Sequence, residues 1–282
     1  MKNTKFVLVP VGGLANRMRA IASAILLSQR FHRTLEVIWF KDQALNATFS
    51  SMFESISLPN IEIRDAVFSD YILYDRPRRR NLYIPGIPQR ILFCKRIYEE
   101  TSRQRILDNA SYPELAKSGS IYIASFVKLT NEDFDYSIFK PVSEIQIEIN
   151  TIAEKLGDFC VGIHIRRGDN IFSISESPLE LFFDRMDKEL EANPTVIFYM
   201  ATDSNEVKEK SKQRYKDHII LLNHEADRLS MEGMQDAVLE LYLLASTKKI
   251  IGSFHSTFAL LASEIGLQPY EEVRKLTNPN QK

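Results

Sequence analysis

The chain has 282 residues, 44% hydrophobic and 26% charged, with a formal charge of −1. That length holds one large domain or two of ordinary size, and the balance is that of a soluble globular protein. So small a net charge gives no global pull toward nucleic acid or an anionic membrane, and any electrostatic function must come from local clusters.

"KFVLVPVGG" predicts a buried strand over 5–11, stopped by a glycine pair. Leu14, Met18, Ile21 and Ile25 then follow at helical spacing, and "TLEVIWF" predicts a second strand over 34–40. A β-α-β opening implies a parallel sheet with right-handed crossovers. The two lysines of "MKNTKFVLVP" lead straight into a short β-like run rather than a long apolar core, and Cys94 and Cys160 match no zinc or redox spacing. Cytoplasmic is the resulting expectation.

The stretch from 41 to 120 reads as irregular, with short strand candidates in "YILY" (71–74) and "NLYI" (81–84) and prolines at 77, 85, 88 and 113. Residues 76–105 carry nine Arg or Lys against two Glu. This segment reads either as a solvated loop with a helix beyond it or as a surface for an anionic acceptor or an anionic membrane.

From about 145 a second β/α alternation begins. Strands are predicted over 159–165, 195–201, 218–222 and 249–253, and helices over 179–192, 204–214, 233–247 and 256–266. The expectation is an α/β protein of two Rossmann-like domains facing a cleft, 1–145 and 146–282. Ligands of open α/β sheets bind beyond the carboxyl ends of the strands.

Polar clusters fall at those ends. In "VGGLANRMR" (11–19), Gly12 and Gly13 permit a sharp turn and close backbone approach, and Asn16 and Arg17 add donors beside a helix start. In "GIHIRRGD" (162–169), two arginines supply planar bidentate donors for a diphosphate. There His164 shares a strand face with Arg166, and one arginine can meet the phosphates while Asp169 orients the other. Asp203 in "ATDSNEV" reads as a helix cap that can also touch ligand. "GSFHSTFALLASEIG" (252–266) offers Ser253, His255, Ser256 and Thr257 at a helix start, suited to phosphate or ribose. Asp236, early in the preceding helix, can accept two hydrogen bonds from a guanine edge. Together these describe a nucleoside diphosphate site. No Walker A loop is present, and "DFD" (133–135) does not follow an apolar strand as a metal-binding Asp-x-Asp would.

"HIRRGD" (164–169), "TDS" (202–204) and "GSFHSTFALLASE" (252–264), in this order, resemble the three-motif region of the GDP-fucose fucosyltransferase superfamily, which includes α1,2-, α1,6-, protein O- and nodulation fucosyltransferases. "GGLANRM" (12–18) is similar to the glycine–Asn turn near their start. The resemblance implies a GT-B-like fold, a GDP-sugar donor in the C-terminal domain, a glycan or glycolipid acceptor on the side of the N-terminal one, no divalent metal and no cofactor, and inverting transfer. It implies that Arg166 grips the β-phosphate with His164 and Arg167 assisting, that Asp236 reads guanine, and that Ser256 and Thr257 hold phosphate or ribose. Gly13 and Asn16 would approach the diphosphate and sugar from the facing domain. Against the α1,6-enzymes, this sequence has Asn170 in place of a lysine and Ile174 in place of a glutamate that assists proton removal, which leaves Glu176 or Asp169 as the base; His255 replaces a small residue. Open alternatives are another GDP-hexose, a GDP-sugar-binding protein without transferase activity, and a phosphate-ester hydrolase.

Overall fold

Ten parallel strands in two five-stranded sheets organise the computed structural model, which describes residues 4–168, 171–224 and 226–275. In the first unit β1 (Lys5–Pro10) runs into α1 (Leu14–Arg30) and β2 (Thr34–Trp39). β1 and β2 are buried beyond their first residues, and Leu14, Met18, Ile21 and Ile25 of α1 all face the core. β3 (Ile61–Asp65), α2 (Asp70–Leu73), α3 (Gly86–Leu92), β4 (Lys95–Ile97), α4 (Glu99–Leu107) and β5 (Ile121–Ser125) complete the unit. The strand order is β3-β2-β1-β5-β4. Residues 228–234 pack with this unit: Asn46 donates its backbone N–H to Arg228 O at 3.0 Å and its Nδ2 to Leu229 O at 2.8 Å.

The stretch 41–120 therefore holds far more regular structure than its sequence announces, and both of its strand candidates are corrected. "YILY" lies in and just after α2, where Asp70 accepts from the Val67 N–H at 2.7 Å and pairs with Arg64 at 2.6 Å, which ties the start of the helical turn to β3. "NLYI" is a compact turn, with Leu82 and Tyr83 both at positive φ (53° and 60°), which no strand accommodates.

The second unit begins with α5 (Ser143–Leu156) and β6 (Cys160–Ile165), then α6 (Ile171–Glu176), α7 (Leu179–Ala192) and β7 (Ile197–Thr202). It continues with α8 (Asn205–Tyr215), β8 (Ile219–Leu221), α9 (Met231–Ala245, in this unit from Gln235 on), β9 (Lys249–Ser253), α10 (Thr257–Gly266) and β10 (Tyr270–Val273). Its strand order is β10-β9-β6-β7-β8. The chain moves outward from β6 through β7 to β8, then crosses back to place β9 on the other side of β6. That reversal opens a crevice between the carboxyl ends of β6 and β9, where doubly wound sheets take ligands. β1 and β5 stand in the same relation in the first unit. Among the described residues no helix is long and apolar enough to cross a membrane.

Candidate active site

Register brings the predicted motifs of the second unit together. His164 pairs with Gly252 on β9 and with Ala201 on β7, so the ends of three adjacent parallel strands deliver "HIRRG", "TDS" and "GSFHST" side by side. Gly252 is needed at this seam, since a Cβ there would lie 2.7 Å from the Ala259 Cβ.

The loop after β6 is fixed by backbone hydrogen bonds to its neighbours. Ser253 Oγ accepts from the Arg166 N–H at 3.0 Å. The Asp203 carboxylate accepts from two successive N–H groups, Arg167 at 2.6 Å and Gly168 at 2.9 Å. Asp203 is thus a clamp on the arginine loop, and the cap of α8 is its neighbour Ser204, whose side chain accepts from the Val207 N–H. That differs from the cap role its sequence position suggests.

The two arginines are unequal. Arg167 is half-buried over the Phe182 ring and donates to Arg166 O and Ser177 O, both at 2.9 Å. Burial lowers its pKa, with Asp203 opposing. Its guanidinium is engaged in shaping the loop; Arg166, like Arg167, is partly exposed at the strand end. Asp169, expected to orient one of the two arginines, lies outside the described residues.

His164 stacks on Phe258 with ring centroids 5.1 Å apart, and its Nδ1 lies 3.0 Å from Ser256 Oγ. Burial holds the imidazole down to about 4; Asp203 opposes this and the Arg166 cation reinforces it. The ring is therefore neutral near pH 7. Ser256 Oγ already accepts from the Ala259 N–H at 3.2 Å as the cap of α10. If the Ser256 proton is directed at Nδ1, the imidazole N–H is on Nε2.

Ser253 and Ser256 are buried and tie elements together, while Thr257 is partly exposed at the first turn of α10, where N–H groups lack intrahelical partners. His255 is exposed in a left-handed conformation (φ 55°), its ring against Phe254 and its N–H donating to Glu272 at 3.1 Å. Glu176 ends α6, its carbonyl accepting from the Lys275 N–H at 2.7 Å. Asp236 faces His224, whose Nδ1 is 3.7 Å from its carboxylate and whose Nε2 is 3.3 Å from Glu240 one turn further along α9. The Glu240 carboxylate raises the His224 pKa, and Asp236 adds to the effect. Among the described residues no group of three or more His, Cys, Asp or Glu is spaced to hold a metal ion.

Ser177 is a residue that sequence reasoning misses. Fully buried, it accepts Phe254 N–H at 2.8 Å, donates to Val273 O at 2.5 Å and offers its carbonyl to Arg167. It joins the loop after β9, β10 and the arginine loop, yet nothing in "SESPLE" separates it from an ordinary helix-flanking serine.

In the first unit, Gly12 is the glycine that the turn requires, with φ 85° and a would-be Cβ 3.1 Å from Asn16 Nδ2. A Cβ at Gly13 would meet open space, and Asn16 is partly exposed beside it. Arg17 is no ligand donor. It is fully buried over Trp39 and donates to Gly12 O (2.8 Å), Phe40 O (2.5 Å) and Asp42 (3.0 Å), with burial lowering its pKa to about 10 against the pull of Asp42.

No family model and no curated protein matches the sequence. Solved structures do match. The fucosyltransferase NodZ from Bradyrhizobium superposes with a TM-score of 0.65 at 20% identity, covering 98% of this chain and 97% of that one. This chain has the fold of the GDP-fucose fucosyltransferases. FUT1 of Arabidopsis thaliana, in complex with GDP, gives 0.62 at 14% identity over 97% of this chain and 71% of that one. POFUT1 in complex with GDP-fucose gives 0.56 at 10% identity over 96% and 98%. The α/β, two-sheet, GT-B-like class expected from the sequence is the one observed.

Proposed function

We propose that the chain is a glycosyltransferase that moves fucose from GDP-fucose to a glycan or glycolipid acceptor, with inversion and without a divalent metal or other cofactor. It would act in the cytoplasm, with a peripheral membrane contact through 76–105. The observation that carries the reading is the convergence of His164, Arg166 and the α10 N-terminus at the crevice between β6 and β9. The neighbours with GDP or GDP-fucose bound support it.

In this reading the donor diphosphate lies over the ends of β6 and β9. Arg166 presents a planar guanidinium to the β-phosphate, where bidentate pairing is strongest. Neutral His164 donates from Nε2, and Thr257 with the first N–H groups of α10 completes an anion site favoured by the helix dipole. Asp203, Ser253 and Arg167 do not meet the phosphates in this assignment; they hold the loop that aims Arg166. Asp236 accepts from the guanine edge.

Transfer is one displacement. The acceptor oxygen forms a bond to the anomeric carbon as the bond from that carbon to the β-phosphate oxygen breaks. GDP leaves with the electron pair, and the acceptor proton passes to a carboxylate, Glu176 or Asp169. Negative charge grows on the departing diphosphate, which is where preorganised donors lower the barrier most.

The test is release of GDP from GDP-fucose with a panel of oligosaccharide acceptors, in EDTA, for the wild type and Arg166→Ala. The expected loss in turnover is on the order of 10²–10³-fold. Full activity in the variant, or activity only with added metal, contradicts the assignment.

A further inference from the structure

The segment around α3 turns the usual amphipathic order inside out. Gln89 is 0% exposed, while Leu82 (78%), Ile87 (69%) and Ile91 (85%) stand in solvent. The buried face is a polar scaffold. Gln89 donates to Asp75 O at 2.6 Å and accepts from the Tyr98 hydroxyl at 3.0 Å. Buried Asp75 in turn accepts from the Arg78 guanidinium at 2.6 Å and from Asn81 at 3.1 Å. That frame holds Leu82 and Tyr83 in left-handed conformations that such side chains rarely adopt. Phe68, just before α2, is also exposed. A hydrophobic surface maintained by buried polar groups is built, not left over, and patches of this kind mark interaction sites.

Its charge indicates the partner. Between Arg76 and Tyr98 the sequence has no Asp or Glu. Of the nine basic residues in 76–105, Arg76, Arg78, Lys95, Arg103 and Arg105 are ion-paired. Arg79, Arg80 and Arg90 are exposed, with no carboxylate within 4 Å among the described residues. Exposed aliphatic and aromatic side chains flanked by unpaired arginines are what an anionic headgroup layer receives.

We propose that this surface docks on an anionic phospholipid bilayer, with Leu82, Ile87 and Ile91 entering the headgroup–acyl boundary and Arg79, Arg80 and Arg90 on lipid phosphates. The proposal deepens the peripheral contact of the preceding reading, but its test uses neither nucleotide nor acceptor, so either can fail alone. The full chain is cosedimented with phosphatidylcholine vesicles and with phosphatidylcholine–phosphatidylglycerol vesicles. Binding is expected to the anionic vesicles only. The combined variant Arg79→Gln/Arg80→Gln/Arg90→Gln should weaken it on the order of 100-fold. Ile87→Ser/Ile91→Ser should weaken it at least ~10-fold, with both variants retaining the wild-type melting temperature. Absence of binding to anionic vesicles overturns the proposal. So does binding untouched by the isoleucine pair, which would be bare charge attraction. A dimer that the isoleucine pair dissolves and vesicles do not displace also overturns it, assigning the surface to a second copy.

Discussion

Asp203 holds Gly168 by its backbone: the carboxylate accepts the Gly168 N–H at 2.9 Å, and a Cβ on residue 168 would lie 2.8 Å from the same oxygen. One carboxylate at the end of β7 therefore fixes the loop that follows β6, and glycine at 168 is what lets it come so close. Arg166 is two residues upstream, so the aim of the proposed phosphate donor depends on a group that need not touch the ligand.

Asp203→Asn separates positioning from stability. An amide can accept only one of the two N–H bonds, but the site is exposed, so water replaces the lost partner and unfolding free energy should fall by less than ~1 kcal/mol. GDP affinity should nevertheless fall at least ~10-fold, equivalent to ~1.4 kcal/mol. Urea unfolding and calorimetry on one preparation check both; an unchanged GDP affinity contradicts the clamp.

His164 predicts a pH dependence with a definite sign. Its folded pKa, about 4, lies below the usual histidine value, so between roughly 4 and 6.5 the unfolded chain binds the extra proton. Its stabilising contribution is complete above about pH 6.5 and is lost as pH falls through about 4, by at most ~3 kcal/mol. His164→Gln should flatten this part of the stability–pH curve, measured by urea unfolding. A curve of the same slope in the variant would mean that other groups carry it.

Ser256 serves two partners, the Ala259 N–H and His164 Nδ1. Ser256→Ala should cost ~1–2 kcal/mol through the lost cap, and it should also alter the His164 titration seen by NMR. Ser256→Thr should restore the cap. A cost restricted to stability, with the imidazole unaffected, would break the proposed link between cap and ring.

Arg17 is expected to behave as a structural residue. Its guanidinium joins the turn after β1 to the end of β2, and Arg17→Ala leaves Asp42 without its closest cationic partner. A loss of ~3–5 kcal/mol is expected, as for other broken buried pairs. Wild-type thermal stability with weakened nucleotide binding would return Arg17 to the ligand site.

The elements legible in the sequence are those whose burial is one-sided or complete. β1, β6 and β9 are apolar runs ending in glycine or charge, and α7 spans the predicted 179–192. β3 escapes notice because "IEIRD" is only half-buried and its Arg64 is spent on Glu36 and Asp70. β5 is fully buried, but "IYIAS" sits among serines, lysine and glycine that read as loop. At the site, the residue types and their order were legible, while the division of labour was not. Whether Asp203 caps a helix or clamps a loop depends on neighbours more than thirty residues away in sequence, and the carbonyls that engage Arg167 are set by how the loop after β6 folds back on Ser177.

Arg166 and its neighbours are proposed to hold a guanosine diphosphate. Calorimetric titration in EDTA with GDP, GDP-fucose, GDP-mannose and UDP-galactose, repeated with Arg166→Ala, tests it most directly. The guanine nucleotides should bind, with GDP-fucose the preferred sugar donor, and binding should collapse in the variant. No binding, equal binding of UDP-galactose, or full affinity in Arg166→Ala would contradict it.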